Sequence, residues 1–233
     1  MTAIAGSVAL VTGGSRGLGK AIVAELLHRG AAKVYATARD PASIGHPGAV
    51  PLALEVTDLE SVCAAAQAAP DVNILINNAG VGIGASFLDS PIEDIRREFE
   101  TNFYGPLFTT RAWVPLIERN GGGHILNINS VQSWSAVAGS YSAAKAALWS
   151  QTNAVRLELL ARGIKVSGLH VGYVDTDMTT AVRLPKANPA DIARRALDGV
   201  AADEPEILAD EISQYIKLVL AQDVSVMYPD LAR

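Results

Sequence analysis

Val8-Ala9-Leu10-Val11-Thr12-Gly13-Gly14-Ser15-Arg16-Gly17-Leu18-Gly19 is the stretch from which the fold is read. A short apolar run of strand composition gives way to closely spaced glycines, and a helical pattern begins near Leu18. Glycines at such a turn let backbone N–H groups approach a phosphate at the positive end of the following helix. Gly13, Gly17 and Gly19 follow G-x-x-x-G-x-G, a spacing distinct from the commoner G-x-G-x-x-G, and suit a dinucleotide held by Gly13, Ser15, Arg16, Leu18 and Gly19. Gly14 to Lys20 also fits most of a P-loop. Ala21 stands at its last position, however, and a methyl group cannot ligate Mg²⁺.

Outward from this turn, β-branched runs at 8–12, 33–38, 50–54, 73–76, 125–129 and 165–170 alternate with helical patterns at 18–29, 59–68, 91–102, 107–119 and 142–162. A last strand at 206–209 and a helix at 210–221 are expected to close the sheet edge. This rhythm predicts an α/β, Rossmann-type doubly wound parallel sheet with helices on both faces, in one domain over residues 1–233. Ligands of such sheets bind at the carboxyl ends of the strands. Residues 178–188 are irregular, with Pro185 inside and Pro189 at a helix start, and read as a substrate loop.

The 233 residues are 49% hydrophobic, enough for a sizeable core. The net charge of -5 is dispersed, which argues against nucleic-acid and anionic-membrane surfaces and leaves small molecules or proteins as partners. Cys63 is the sole cysteine, so neither an intrachain disulfide nor a cysteine metal cluster can form. No metal is expected either, since His28, His46, His124 and His170 share no ligand spacing. The first strand starts too early to leave room for a signal peptide, and no apolar run reaches the roughly 18 residues of a membrane span. A cytoplasmic protein is the expectation.

The second strand ends in Thr37-Ala38-Arg39, where a carboxylate would accept bonds from a ribose 2′-hydroxyl and repel a 2′-phosphate. Arg39, with Arg16, instead offers cations for that phosphate, so NADP(H) is the expected cofactor. Further on, Tyr141 and Lys145 are one helical turn apart and share a face. A fixed ammonium beside a phenol favours the phenolate, which predicts a depressed tyrosine pKa. Just upstream, the strand 125–129 ends at Ser130, bringing a hydroxyl to the same strand end; Ser133, Ser135 and Ser140 are its nearby rivals. Trp134, Tyr173, Met178 and Leu184 are candidates for an apolar substrate pocket or for plain packing.

Together these motifs resemble the short-chain dehydrogenase/reductase family over about residues 7–178: Thr12-Gly13-x-x-x-Gly17-x-Gly19, Asn77-Asn78-Ala79-Gly80, Asn102, Ser130, Tyr141 with Lys145, and Gly172-Tyr173-Val174-Asp175-Thr176. The resemblance implies an NADP-preferring ketoreductase or alcohol dehydrogenase. Tyr141 would be its general acid/base, Lys145 the residue that lowers the tyrosine pKa and holds the nicotinamide ribose, and Ser130 the group orienting a ketone or alcohol substrate. Asn102 would hold a relay water, unless it caps a helix. Asn78, Ala79 and Gly80 would line the cofactor, Glu55 and Val56 its adenine end, and Val174 and Thr176 its carboxamide.

The chain departs from the family in several places. Ser130 and Tyr141 are eleven positions apart against about thirteen, Glu55 replaces the usual Asp, Val171 the usual Pro, and the glycine-rich ending of the tetrameric reductases is missing. The long helix from Ser142 carries small and apolar residues on more than one face, which predicts a homodimer through it and the helix at 107–119, with a tetramer also possible. An intact Tyr, Lys and Ser argue against a non-catalytic nucleotide sensor. Dehydration or epimerisation on the same scaffold stays open.

Overall fold

The computed structural model describes residues 1–232. Seven strands form one sheet: β1 (Val8–Val11), β2 (Lys33–Ala38), β3 (Val50–Ala53), β4 (Ile74–Asn77), β5 (Gly123–Ile128), β6 (Ile164–His170) and β7 (Glu206–Leu208). Their order is β3-β2-β1-β4-β5-β6-β7, and every pairing is parallel. The chain winds outward from β1 to β3, then returns to lay β4 on the other side of β1. The crevice between the ends of β1 and β4 is therefore the switch point at which such sheets take ligands.

Alternation along each strand builds two cores. On one face, Ala9 and Val11 of β1 and Ile74 and Ile76 of β4 pack with Ile22, Val23 and Leu26 of α1 (Gly17–His28) and with Ile192, Ala196 and Val200 of α6 (Pro189–Ala201). On the other, Leu10, Leu75 and Ile125 meet Val62 of α2 (Leu59–Ala68) and Trp113 and Ile117 of α4 (Gly105–Arg119). These strands are apolar on both sides because both sides are covered. The helix expected to start at Pro189 does so, with Asn188 capping the N–H of Ala190 and proline in the first turn, where its missing donor costs nothing.

Among the boundaries that differ from the sequence reading, two bear on the site. The helices expected at 91–102 and 107–119 are one continuous run: α3 (Ile92–Phe99), a π-helical turn over Glu100–Tyr104, then α4. Pro106, inside this run, has no N–H to give to the preceding turn, and the π-helical turn lies directly before it. Helix α5 (Gly139–Glu158) starts three residues earlier than expected, at a glycine with φ of 52°. At the edge, β7 and α7 (Glu211–Val219) close the sheet as expected, with Asp210 capping the helix through the N–H of Ser213. No helix among the described residues is long and apolar enough to cross a membrane.

Candidate active site

Every residue expected to be catalytic or to hold the cofactor lies on the wall of one cavity of about 1100 Å³ at the carboxyl ends of the strands. Its floor is the glycine turn. Gly13 has φ of 66°, a left-handed conformation that only glycine adopts without strain, and a Cβ on Gly19 would run into the Gly13 carbonyl and the Asn78 amide. Asn78 lashes the turn to β4: its Nδ2 donates to the Thr12 carbonyl at 2.9 Å and to that of Gly13 at 3.2 Å. The N–H groups of Asn78 and Ala79 both donate to Thr12 Oγ1 at 2.9 Å. The two strands flanking the switch point are thus fixed to each other, and of the turn's own N–H groups that of Gly14 is taken by the Thr37 carbonyl at 2.8 Å.

On the cavity wall the side chains of Arg39 and Arg16 are 78% and 75% exposed. Their nearest acids are Glu55, 4.0 Å away, and Asp177, at 3.4 Å. Exposed pairs of this length contribute little, so both cations are available to an anion. Glu55, standing where the family usually has Asp, is steadied by the N–H and hydroxyl of Thr57, at 3.2 and 3.0 Å.

Tyr141, Ser130 and Lys145 line the same cavity, with Tyr141 and Ser130 in hydrogen-bond contact. The shortened connection between Ser130 and Tyr141 does not separate them, because a tight turn over Val131–Ser133 and the early start of α5 take up the missing residues. Ser130 Oγ accepts from the N–H of Gln132 at 3.2 Å and donates to the Val171 carbonyl over a long 3.5 Å, a bond it can give up readily.

The expected depression of the tyrosine pKa is not found. Burial pushes the Tyr141 phenol up to about 12; hydrogen bonding with Ser130 draws it down, while the charge of Glu98 and the neighbouring Tyr173 add to the rise. Lys145 is no counterweight, since its Nζ is 5.8 Å from the tyrosine ring centroid and donates to the Ile128 carbonyl at 2.8 Å. Lys145 is itself 5% exposed, and burial lowers its pKa to about 8. Desolvation, which disfavours both charged forms, outweighs their mutual attraction.

Asn102 is fully buried in the π-helical turn and caps no helix end. Its amide is clamped on the backbone of Val81: Oδ1 accepts from the N–H at 3.0 Å and Nδ2 donates to the carbonyl at 2.8 Å. A π turn shifts the backbone ladder and often marks functional sites. Tyr173 and Met178 line the cavity, whereas Trp134 turns away and stacks on His170, ring centroids 3.9 Å apart.

Sequence reasoning missed Glu98. This fully buried carboxylate accepts from the N–H groups of Ile83 and Gly84, at 2.6 and 2.8 Å, and from the hydroxyl of Ser140. The N–H of Ser140 in turn donates to the Ala85 carbonyl at 3.0 Å. One acid therefore joins the loop after β4 to the start of α5, next to Tyr141. Its spacing of four from Asn102, which puts both on the same helical face, was the available signal.

The sequence pattern of the short chain dehydrogenase family matches residues 7–187. A short chain dehydrogenase from Burkholderia cenocepacia, solved in complex with NADP, superposes with a TM-score of 0.94 at 34% identity, covering 100% of both chains. A 3-ketoacyl-(acyl-carrier-protein) reductase from Brucella melitensis, solved with NADH, gives a TM-score of 0.79 at 27% identity over 86% of this chain and 94% of the other. Ketoacyl reductase HetN of Nostoc is 30% identical over 95% of this chain and 85% of its own length. With the match spanning most of the length and its motifs gathered in one cleft, this chain is an oxidoreductase of the short-chain dehydrogenase family.

Proposed function

We propose that this enzyme moves a hydride between the nicotinamide of NADP(H) and the carbon of a carbonyl or secondary alcohol, with Tyr141 as general acid/base. The observation that supports this most is the meeting of Tyr141, Ser130 and Lys145 in the same cavity as the glycine turn. A dinucleotide fits that cavity: the turn has no side chain where a pyrophosphate would lie, and the volume of about 1100 Å³ leaves room for a small substrate beside it. Gly13, Ser15, Arg16, Leu18 and Gly19 would hold the phosphates, Arg39 the 2′-phosphate, Glu55 and Val56 the adenine end, and Asn78 to Gly80, Val174 and Thr176 the nicotinamide half. When bound, the cofactor supplies or accepts the hydride.

The chain's residues handle the oxygen. During reduction Tyr141 donates its phenolic proton to the oxygen that becomes an alkoxide, while Ser130 releases its long bond to Val171 and donates to the same atom. In the reverse direction Tyr141 takes the proton from the alcohol. A phenol held near 12 stays protonated at neutral pH and can still donate to an alkoxide, the stronger base, but its phenolate, the base that oxidation needs, is scarcely populated, so oxidation requires added positive charge in the cleft; Lys145 would hold the ribose. Asn102 fixes the Val81 backbone, and residues 178–188 close the substrate side. NADP preference rests on two lightly paired arginines and on likeness to a relative solved with NADP.

Following reduced-cofactor absorbance over a panel of ketones and alcohols tests the activity. Tyr141→Phe should abolish turnover and leave cofactor affinity nearly intact; a fully active variant refutes the assigned role.

A further inference from the structure

A side chain beside this site has no assignment so far. Gln132 is two residues after Ser130, is 8% exposed, and lines the cavity. Its amide is oriented by its surroundings. The N–H of Ala138 donates to Ser142 Oγ at 3.1 Å, and that hydroxyl donates onward to Gln132 Oε1, also at 3.1 Å. Oε1 therefore faces α5, and Nε2, with its two donors, is at the other end of the amide. Nε2 has no hydrogen-bond partner among the described residues. Nε2 is not among the buried polar atoms that lack a partner, so it is open to the cavity, and an amide oriented at its oxygen with its donors facing open space is ready to donate to an acceptor on a ligand.

Its place says what that ligand must offer. The backbone N–H of Gln132 is 3.2 Å from Ser130 Oγ, so the side chain starts within a few ångströms of the hydroxyl assigned to the substrate oxygen. Tyr173 and Met178 supply apolar and aromatic wall to the same cavity. We infer that Gln132 is a specificity-determining residue whose Nε2 donates to a second oxygen of the substrate, so that the enzyme prefers carbonyl compounds carrying another hydrogen-bond acceptor near the reacting carbonyl. This rests on the reading of Ser130 as the residue that meets the substrate oxygen.

The test compares chain-matched pairs, methyl acetoacetate against 2-hexanone and methyl levulinate against 2-heptanone, in wild type, Gln132→Glu and Gln132→Met. Gln132→Glu keeps an oxygen for Ser142 but replaces the donor by an acceptor. Gln132→Met removes both at similar volume. Two ratios are read: kcat/KM between members of a pair, and Kd between them, measured by calorimetry with oxidised NADP present so that no turnover occurs. In at least one pair the wild type should favour the keto ester, and both variants should reduce that preference about tenfold, the loss expected for one neutral hydrogen bond.

Equal loss on both members of each pair would reduce Gln132 to a tether for its loop and overturn the inference. So would ratios that stay unchanged in both variants. The Kd ratio decides the inference even if Tyr141→Phe stays active, so failure of the proposed chemistry and failure of the Gln132 assignment give different results.

Discussion

Replacing Lys145 by methionine should make the cofactor-free protein more stable at neutral pH while destroying its activity. Lys145 is 5% exposed, and burial alone takes its pKa from 10.5 to about 8. At about 1.4 kcal/mol per tenfold change in proton affinity, keeping that ammonium charged in the fold costs roughly 3 kcal/mol. Methionine removes the charge at comparable volume and forfeits the bond to Ile128, worth about 1 kcal/mol, which leaves a net gain of about 2 kcal/mol.

The dependence on pH has a definite sign. Because the folded pKa is below the unfolded one, the unfolded chain binds more protons between about 8 and 10.5, and wild-type stability gains from this group as pH rises through that window. Below pH 8 the penalty is complete. Urea unfolding of both proteins at intervals from pH 7 to 9.5 should therefore show the advantage of Lys145→Met shrinking steadily. A variant less stable than wild type at pH 7, or a difference that does not change with pH, would refute the reasoning. Stability surrendered at a functional position is a common cost of activity.

Arg39→Asp should weaken NADP binding at least about tenfold more than NAD binding, because it replaces a charge-assisted phosphate contact with repulsion; equal losses in calorimetry would contradict that contact. The outward faces of α4 and α5, where Ala143, Ala146 and Ala147 are only partly covered, should pair two copies. Light scattering coupled to gel filtration should then report a dimer, and a monomer across a broad concentration range would remove that expectation.

Much of the fold was legible because period-2 and period-3.6 patterns are local. Ala9 and Val11 face one core and Leu10 the other, as alternation dictates. The glycine turn was equally plain, since its requirement for missing side chains is written in the residues themselves. What escaped depends on distant partners. Apart from its spacing of four from Asn102, nothing local says that Glu98, in a run of charged residues, turns inward, because the three donors that hold it come from 83–84 and 140. The tyrosine pKa was misjudged for a related reason. Spacing gives the direction of a neighbouring charge, but the depth of burial that overrides it is a property of the whole packed cleft.

The carboxylate of Glu98 has a mechanical consequence. By joining the loop at 83–85 to the first turn of α5, it makes one jaw of the cleft a braced unit that cannot yield to a bulky guest without breaking several bonds at once. The wall carrying the exposed Met178 is held by the Thr179 hydroxyl on the Val174 carbonyl and by the exposed pair of Asp177 with Arg16, and no buried carboxylate braces it among the described residues. Tolerance for large substrates must come from that softer side, and attempts to enlarge the repertoire of this enzyme belong there.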